Sequence, residues 1–473
     1  MIMENNRHIC LMLFLTIFFF TPSNCQIVKI FGVAPTYAGT DISFHAYTDY
    51  ITKTEKELIH TKVDPNGNFE MNIKITEPIC IFSHLGVYKG RLFIEPGKSY
   101  HIVLPDKMNK TQADKLNPYY DETEFQFGIL NTSGDELNFL IRAFDDAYIP
   151  YFNKLTFNVY TKTKPEEFDN TITEMEAPFK DIKNVFFNQY KNYKIGLLKL
   201  LAFQHKSKAI ANMYFLNKPV LYNNPGYMDL FNQMYGTYFL YSGKTNTVKN
   251  ILSDINDSAS LRLLKLILSE DSILSNDTLK EFVILKNLYD NFYSDKFSRA
   301  SLLKILDTFI NSATIQNNKE TALGIRKKVT KLMIGYEPPD FELFDKNNKL
   351  VKRSDFKGKF VYIMFCSCTS YSCMNEFELL DKLYKSYHDS LEIISIVADD
   401  DMNAMQDFLT KNKYGWTFLH YGNQPDIISD YNIRGFPVYY FLDRNGKLIS
   451  SPAVSPSEHF EMYLLKALRE RKK

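Results

Sequence analysis

The sequence lacks any marked excess of charge, is poor in thiols, and has no second long apolar run after its first two dozen positions. Lys and Arg number 56 against 55 Asp and Glu, a net charge of +1. A balance that close removes any whole-chain attraction to nucleic acid or anionic lipid, and no nucleic-acid partner is expected. With 19 glycines and 18 prolines in 473 residues, collagen-like and low-complexity chains are excluded. No fixed-period repeat is present, which sets aside solenoids and propellers. No later segment is long and apolar enough to cross a bilayer. What is there is an ordinary globular composition, 45% hydrophobic and 23% charged, with length for about three domains. The basic end, Arg469 with Arg471, Lys472 and Lys473, reads as a solvated terminus.

The N-terminus reads as an export signal over residues 1–25. Arg7 and His8 precede the apolar run Ile9 to Phe20, and small residues at Ser23 and Cys25 fit cleavage before Gln26. The alternative is a lipoprotein that retains and acylates Cys25, against which the bulky Asn24 argues; association with a membrane is expected only in that case. Of six cysteines, Cys10 and Cys25 belong to this segment, leaving Cys80, Cys366, Cys368 and Cys373. An exported chain meets an oxidising compartment where stray thiols are a liability, so three cysteines within eight residues ask for a chemical explanation.

Residues 26–106 carry short β segments punctuated by turns, the signature of a β-sandwich. Thr40 to Tyr47 alternates at period two. Asp64-Pro65-Asn66-Gly67 predicts a hairpin between Leu58–Val63 and Phe69–Ile75, and Pro96-Gly97 turns again before Tyr100. Cys80 lies in an apolar segment and reads as a buried, unpaired thiol. Residues 107–132 are polar and read as a linker. Over 133–333 the period shifts towards 3.6, an all-α region. There Leu197, Leu198, Leu200, Leu201 and Phe203, then Leu261, Leu263, Leu264, Leu266, Ile267 and Leu268, read as buried, with Asn276 and Ser301 as N-caps. No set of carboxylates, histidines or cysteines in that region has catalytic or ligand spacing.

Residues 334–473 are α/β. Phe341–Asp345 and Lys349–Val351 form a hairpin signal, and Phe360–Phe365 is a fully apolar strand of the kind covered on both faces. Cys373–Tyr387 is an amphipathic helix; strand Leu391–Val397 and helix Met402–Leu409 follow. After Gly435-Phe436-Pro437 come strand Val438–Leu442, the turn Asp443-Arg444-Asn445-Gly446, strand Lys447–Ile449 and a closing helix, Ser457–Arg469.

Pro339-Asp340-Phe341-x-Leu343, Asp355-Phe356-x-Gly358-Lys359 and Phe441-Leu442-Asp443-x-x-Gly446-Lys447 resemble the TlpA/ResA group of thioredoxin-fold envelope proteins. The Asp64–Gly67 and Glu95–Gly97 turns resemble the β-domain that precedes such modules. The resemblance implies a thioredoxin fold, a periplasmic location, no cofactor, and thiol–disulfide exchange on the thiols or disulfides of exported proteins. It breaks at the active segment. The family runs Phe-Trp, two residues, Trp, Cys-x-x-Cys, and a glutamate three further on. This chain runs Phe365-Cys366-Ser367-Cys368-Thr369-Ser370-Tyr371-Ser372-Cys373-Met374-Asn375-Glu376. Cys373 takes the second cysteine's place, Glu376 the glutamate's, and Ser370 the place of the attacking sulfur.

A serine there cannot form a disulfide, and it suits an N-cap that satisfies free helix amides. Three readings of the thiols stand. Cys373 pairs with Cys368 or Cys366 as a displaced redox couple; the cluster binds a soft metal such as Cu(I); or the site is retired and the module binds a peptide without electron transfer. Copper-delivering relatives place a histidine just before the late strand, where this chain has Gly435-Phe436-Pro437, and His420 and His459 read as surface residues, so no metal is expected. Family resemblance makes Pro437 the cis proline facing the active turn, with the Phe436 backbone free to pair with an extended substrate. Glu376 either handles protons beside Cys373 or caps the first helical turn.

Overall fold

The computed structural model describes residues 25–117, 119–130, 132–157, 164–241 and 245–470. The export-signal reading, apart from Cys25, and the last three basic residues lie outside these. Among the described residues no helix is long and apolar enough to cross a membrane.

Nine strands form the N-terminal part: β1 (Gln26–Val33), β2 (Asp41–Tyr47), β3 (Glu55–Lys62), β4 (Asn68–Ile75), β5 (Ile79–Leu85), β6 (Tyr88–Ile94), β7 (Ser99–Val103), β8 (Thr123–Gln126) and β9 (Gly128–Ile129). They divide into a sheet of order β4-β1-β7-β9 and one of order β3-β2-β5-β6-β8. Val28, Ile30, Phe44, Ile81, Leu92, Tyr100 and Phe127 interdigitate between them, each at most 2% exposed. Alternation makes this work: β4 reads exposed-buried throughout, so one face meets the core and the other meets water.

Two expectations change here. The Asp64–Gly67 turn forms, with Asp64 Oδ1 accepting from the Asn66 and Asn68 amides at 2.8 Å each and Gly67 at φ +85°. It does not close a hairpin. β3 pairs with β2 and β4 pairs with β1, so the turn is a corner between sheets. A two-residue period tells which face of a strand is buried and is silent on its partner. The segment 107–132 is likewise more than a tether. It carries a short helix, Gln112–Leu116, and then β8 and β9, which extend both sheets. Its polarity reflects one-sided exposure, not a lack of structure.

The middle is helical from Leu137 to Thr330. Its core is aromatic: Tyr193, Tyr214, Phe215, Tyr227, Phe231 and Phe282 pack as one body, with Phe231 and Phe282 stacked at 4.6 Å. Asn276 caps Asp277–Asp290, its side chain accepting from the Thr278 and Leu279 amides. Ser298, not Ser301, caps Arg299–Ser312; Ser301 supplies the amide that is capped. In Leu261–Leu268 only Leu261, Leu264 and Leu268 are buried, while Leu263 and Leu266 face outward at 43% and 67% exposure. A run of leucines marks a helix; which of them are inside depends on what packs against it. Cys80 is a free, half-buried thiol whose pKa burial pushes up to about 12.

The C-terminal part is one seven-stranded sheet, of order β11-β10-β14-β13-β12-β15-β16. Its strands are β10 (Glu342–Asp345), β11 (Leu350–Lys352), β12 (Phe360–Cys366), β13 (Leu391–Val397), β14 (Thr417–His420), β15 (Val438–Leu442) and β16 (Leu448–Ala453). β12 runs parallel to β13 and antiparallel to β15, with helices Tyr371–Tyr387 and Phe460–Glu470 on one face and the short Ile427–Asp430 helix on the other. This is the thioredoxin arrangement. β14 and the Ile427–Asp430 helix are additions to the elements read from the sequence. The single tryptophan, Trp416, starts β14's packing, with its indole N–H on the Ser395 hydroxyl at 2.9 Å.

The three parts touch. Gln112 Nε2 donates to the Ala398 carbonyl at 2.8 Å, Lys115 pairs with Asp400 at 3.0 Å, and Lys331 pairs with Asp430 at 2.6 Å. Between them lies an open cleft of about 2280 Å³, lined in part by His45, His84, Glu55, Lys89, Lys331 and Asp426. His84 sits between Glu122 (2.6 Å) and Glu55 (2.8 Å). Desolvation alone would lower its pKa, but hydrogen bonds and charge from Glu122 and Glu55 prevail and lift it to about 9; Glu55, held by His84 and Lys89 against the opposing effect of burial, falls to about 2. A raised histidine pKa stabilises the fold below about 6.5 and loses that contribution as pH climbs through about 9; a lowered carboxylate pKa stabilises above about 4.5 and loses it towards about 2. The stability advantage of the native chain over His84→Gln, from urea midpoints, is therefore expected to be fullest between pH 4.5 and 6.5 and to shrink as pH passes 9. A pH-independent difference would contradict the assignment.

Candidate functional site

β12 is buried at every one of its seven positions, as a central strand of a doubly covered sheet must be. It delivers Cys366, with no exposed surface, at its end, paired in register with Val397 of β13. The chain then turns through Ser367-Cys368-Thr369, with the Ser370 amide donating to the Ser367 carbonyl at 3.3 Å, and enters the Tyr371–Tyr387 helix. Ser370 is the N-cap residue and Cys373 lies in the first turn, wholly buried; Cys368 is 7% exposed. All three cysteines are free and pack into one cluster with Tyr362, Phe377 and Tyr439.

Ser370 has the position expected of it and not the bond. Its backbone is extended as a cap requires, yet its hydroxyl takes no helix amide. Burial raises the Cys373 pKa; that hydroxyl and the Ser367 backbone instead favour the thiolate and only partly oppose it. Burial and the Asp399 carboxylate push Cys368 up to about 12, and burial holds Cys366 well above the ordinary thiol range. Low-pKa activation, the usual consequence of a helix N-terminus, is absent from all three.

Glu376 is buried and turns away from its own helix's free amides. Its carboxylate accepts from the Ser457 amide at 3.2 Å and from the Ser457 hydroxyl, tying the helix to the Pro456–Glu458 turn. The first-turn cap reading is thus replaced by a tie between two elements. Its charge still reaches Cys373 and Tyr439.

The Phe436–Pro437 peptide bond is cis. Phe365 pairs with Val438, which places Pro437 beside the end of β12. Phe436 is half-buried and touches the cores on both faces of the sheet.

His420 is buried, not on the surface. Its Nδ1 accepts from the Gly422 amide at 3.1 Å, so Nε2 carries the proton and donates to the Asp399 carbonyl at 2.8 Å. Both nitrogens are occupied within the fold. His459 is exposed with a left-handed backbone. Among the described residues no group of three or more His, Cys, Asp and Glu is disposed to hold a metal ion.

Two residues of the site escaped the sequence reading. Asp399, just past β13, accepts from the Ser367 hydroxyl at 2.6 Å and the Cys368 amide at 2.7 Å. Its signal was its place: polar groups at the carboxyl ends of strands in an open α/β sheet line the functional edge. Tyr439 is buried and stacked on Tyr362 at 5.1 Å, and its hydroxyl has no hydrogen-bond partner among the described residues. Nothing in an alternating strand singles it out.

Because a thiolate is the reactive form, these shifts predict slow alkylation of the native protein. At pH 8, iodoacetamide is expected to modify Cys366, Cys368 and Cys373 at least tenfold more slowly than in the urea-unfolded chain, with rates rising with pH and Cys366 last. Peptide mass spectrometry reads each site. Rapid native labelling of Cys366 would contradict the burial described.

Comparison with known proteins converges on this region. Residues 334–451 match the AhpC/TSA family model. Over 146 residues the chain is 30% identical to the thiol-disulfide oxidoreductase ResA of Bacillus cereus, covering 30% of this chain and 83% of that protein. It is 28% identical over 121 residues to the thioredoxin-like protein YneN of Bacillus subtilis, covering 25% of this chain and 71% of that protein. Among solved structures, a putative thiol-disulfide oxidoreductase from Bacteroides vulgatus aligns at 28% identity with a TM-score of 0.27, covering 29% of this chain and 91% of that one.

Proposed function

The C-terminal region of this chain belongs to the AhpC/TSA family, among its ResA-like thiol–disulfide oxidoreductases, and from that premise we propose that it exchanges disulfides with exported proteins through a displaced pair, Cys368 and Cys373. One observation carries the reading: the free thiols lie together at the head of the Tyr371–Tyr387 helix, Cys368 in the turn before it and Cys373 in its first turn. Cys366 is less suited, being sealed inside the central strand with its thiol on the Ile396 carbonyl.

The step is a two-electron exchange. The Cys368 sulfur attacks a substrate disulfide, forming a mixed disulfide and releasing one substrate sulfur as a thiol. Cys373 then attacks the Cys368 sulfur, which closes the Cys368–Cys373 bond and frees the second substrate thiol. An external dithiol returns the pair to its reduced form. Thiols whose pKa values are pushed up favour the disulfide over the dithiol, so the pair is a reductant, nearer thioredoxin's roughly −270 mV than the roughly −120 mV of a strong oxidant. Ser370 stands at the N-cap position of the helix, Glu376 supplies a carboxylate whose charge reaches Cys373, and the Phe436 backbone beside Pro437 receives the substrate strand. An export signal over residues 1–25, with Cys25 acylated or removed, delivers the module to the compartment where such substrates occur.

Thiol counting by mass spectrometry on the purified mature protein, before and after a reductant, tests this. A reducible Cys368–Cys373 bond, with turnover of a protein disulfide that Cys373→Ser abolishes, is the expected result. Thiols that stay free and inert throughout leave the other reading, a peptide-binding module without electron transfer. In that event, activity appearing with Ser370→Cys would show that the missing sulfur alone had silenced it.

A further inference from the structure

The turn between β12 and the helix is held from one side by a carboxylate that is not part of it. Asp399 Oδ1 accepts the Ser367 hydroxyl at 2.6 Å and Oδ2 accepts the Cys368 amide at 2.7 Å. The Ser367 hydroxyl in turn contacts the Thr369 hydroxyl at 2.9 Å and accepts the Thr369 amide at 3.2 Å. The carboxylate is itself fixed. The Ala398 amide donates to the Cys366 carbonyl at 2.9 Å, Gln112 donates to the Ala398 carbonyl at 2.8 Å, and His420 donates to the Asp399 carbonyl at 2.8 Å. A carboxylate held this firmly beside a cysteine has one electrostatic consequence: it stabilises the S–H form and opposes the thiolate.

Resting on the exchange reading above, we propose that Asp399 governs the reactivity of Cys368. Its carboxylate, fixed at 2.7 Å from the Cys368 amide, keeps the adjoining sulfur in its S–H form between turnovers by disfavouring a second negative charge beside it. One S–S bond breaks and one forms, the leaving sulfur takes the electron pair, and the proton lost by Cys368 on attack is matched by the one the leaving sulfur gains. A free thiolate at Cys368 would lie beside the carboxylate, with Cys366 on β12, Cys373 and Glu376 on the following helix, Asp400 in the next position and His420 and Tyr421 on the β14 side. Of these, the influences resolved on Cys368 are those of Asp399 and Cys373, and both disfavour its ionisation, as burial does. An oxidising compartment threatens a standing thiolate, and a thiol ionised only during attack is less exposed to it.

The test is the pH profile of Cys368 alkylation by iodoacetamide, read site by site in the folded, reduced, full-length mature protein, with Cys373 labelling as an internal control. Asp399→Asn removes the charge and is expected to move the Cys368 profile to lower pH and to raise its rate at pH 8 about tenfold, the effect of one pKa unit. Ser367→Ala removes a donor that partly neutralises the same carboxylate, and is expected to slow Cys368 by about two- to threefold. Opposite signs separate electrostatics from loosening, since a disordered turn speeds labelling in both variants. An unshifted profile in Asp399→Asn, or faster labelling in Ser367→Ala, overturns the proposal. If Asp399→Asn does not fold, Ser367→Ala decides alone. Alkylation needs no turnover, so this result stands apart from the exchange reading: a Cys368–Cys373 bond that forms and turns over while the profile stays unmoved preserves exchange and removes Asp399.

Discussion

Burial of β12 on both faces is the constraint from which the site follows. Seven consecutive residues, Phe360 to Cys366, are buried between two cores, with Tyr362, Met364 and Cys366 facing one and Val361, Ile363 and Phe365 the other. At about 1.5–3 kcal/mol for each large apolar side chain withdrawn from water, this strand is the strongest local reason for the sheet to exist. Its register sets Phe360–Cys366 against Leu391–Val397 of β13 and Val361–Phe365 against Leu442–Val438 of β15. That register sets where the chain must turn, which puts Cys368 beside Asp399 and Pro437 beside the strand's end.

The turn is electrostatically unlike an activated thiol site. A helix N-terminus ordinarily lowers the pKa of a cysteine placed on it, and here that place belongs to Ser370. The sulfurs sit one turn further in or two residues earlier, where burial dominates and the charges that reach them, from Asp399 and Glu376, are negative. At such a site burial and negative charge both disfavour the thiolate form of the sulfurs.

The rest of the molecule bears on this turn through few contacts. The segment that completes both N-terminal sheets also carries Gln112 and Lys115, which hold Ala398 and Asp400 on either side of Asp399. Tyr421 extends the same contact to Gln112 at 3.1 Å. The N-terminal strands and the loop that supports Cys368 are therefore mechanically joined, and the helical middle is fastened to the C-terminal part by Lys331 and Asp430.

Periodicity and local motifs were enough to reveal the β, α, then α/β order, the central strand, and Ser370 at the head of the helix that follows it. These are local properties: a strand's alternation, a continuous apolar run and a residue's offset from a helix start are all written in neighbouring positions. Partnership is not local. The same Asp64–Gly67 turn serves a hairpin or a sheet corner, the same leucine run has two faces, and the same polar stretch can dangle or pair. Only the folded chain determined that the Ser370 hydroxyl leaves the helix amides uncapped, that Glu376 reaches Ser457, that His420 is sealed inside, and that an aspartate 31 residues after Cys368 holds its amide. Each depends on which elements pack together, and packing is decided by the sum of buried surface over the whole chain, a quantity no short stretch contains.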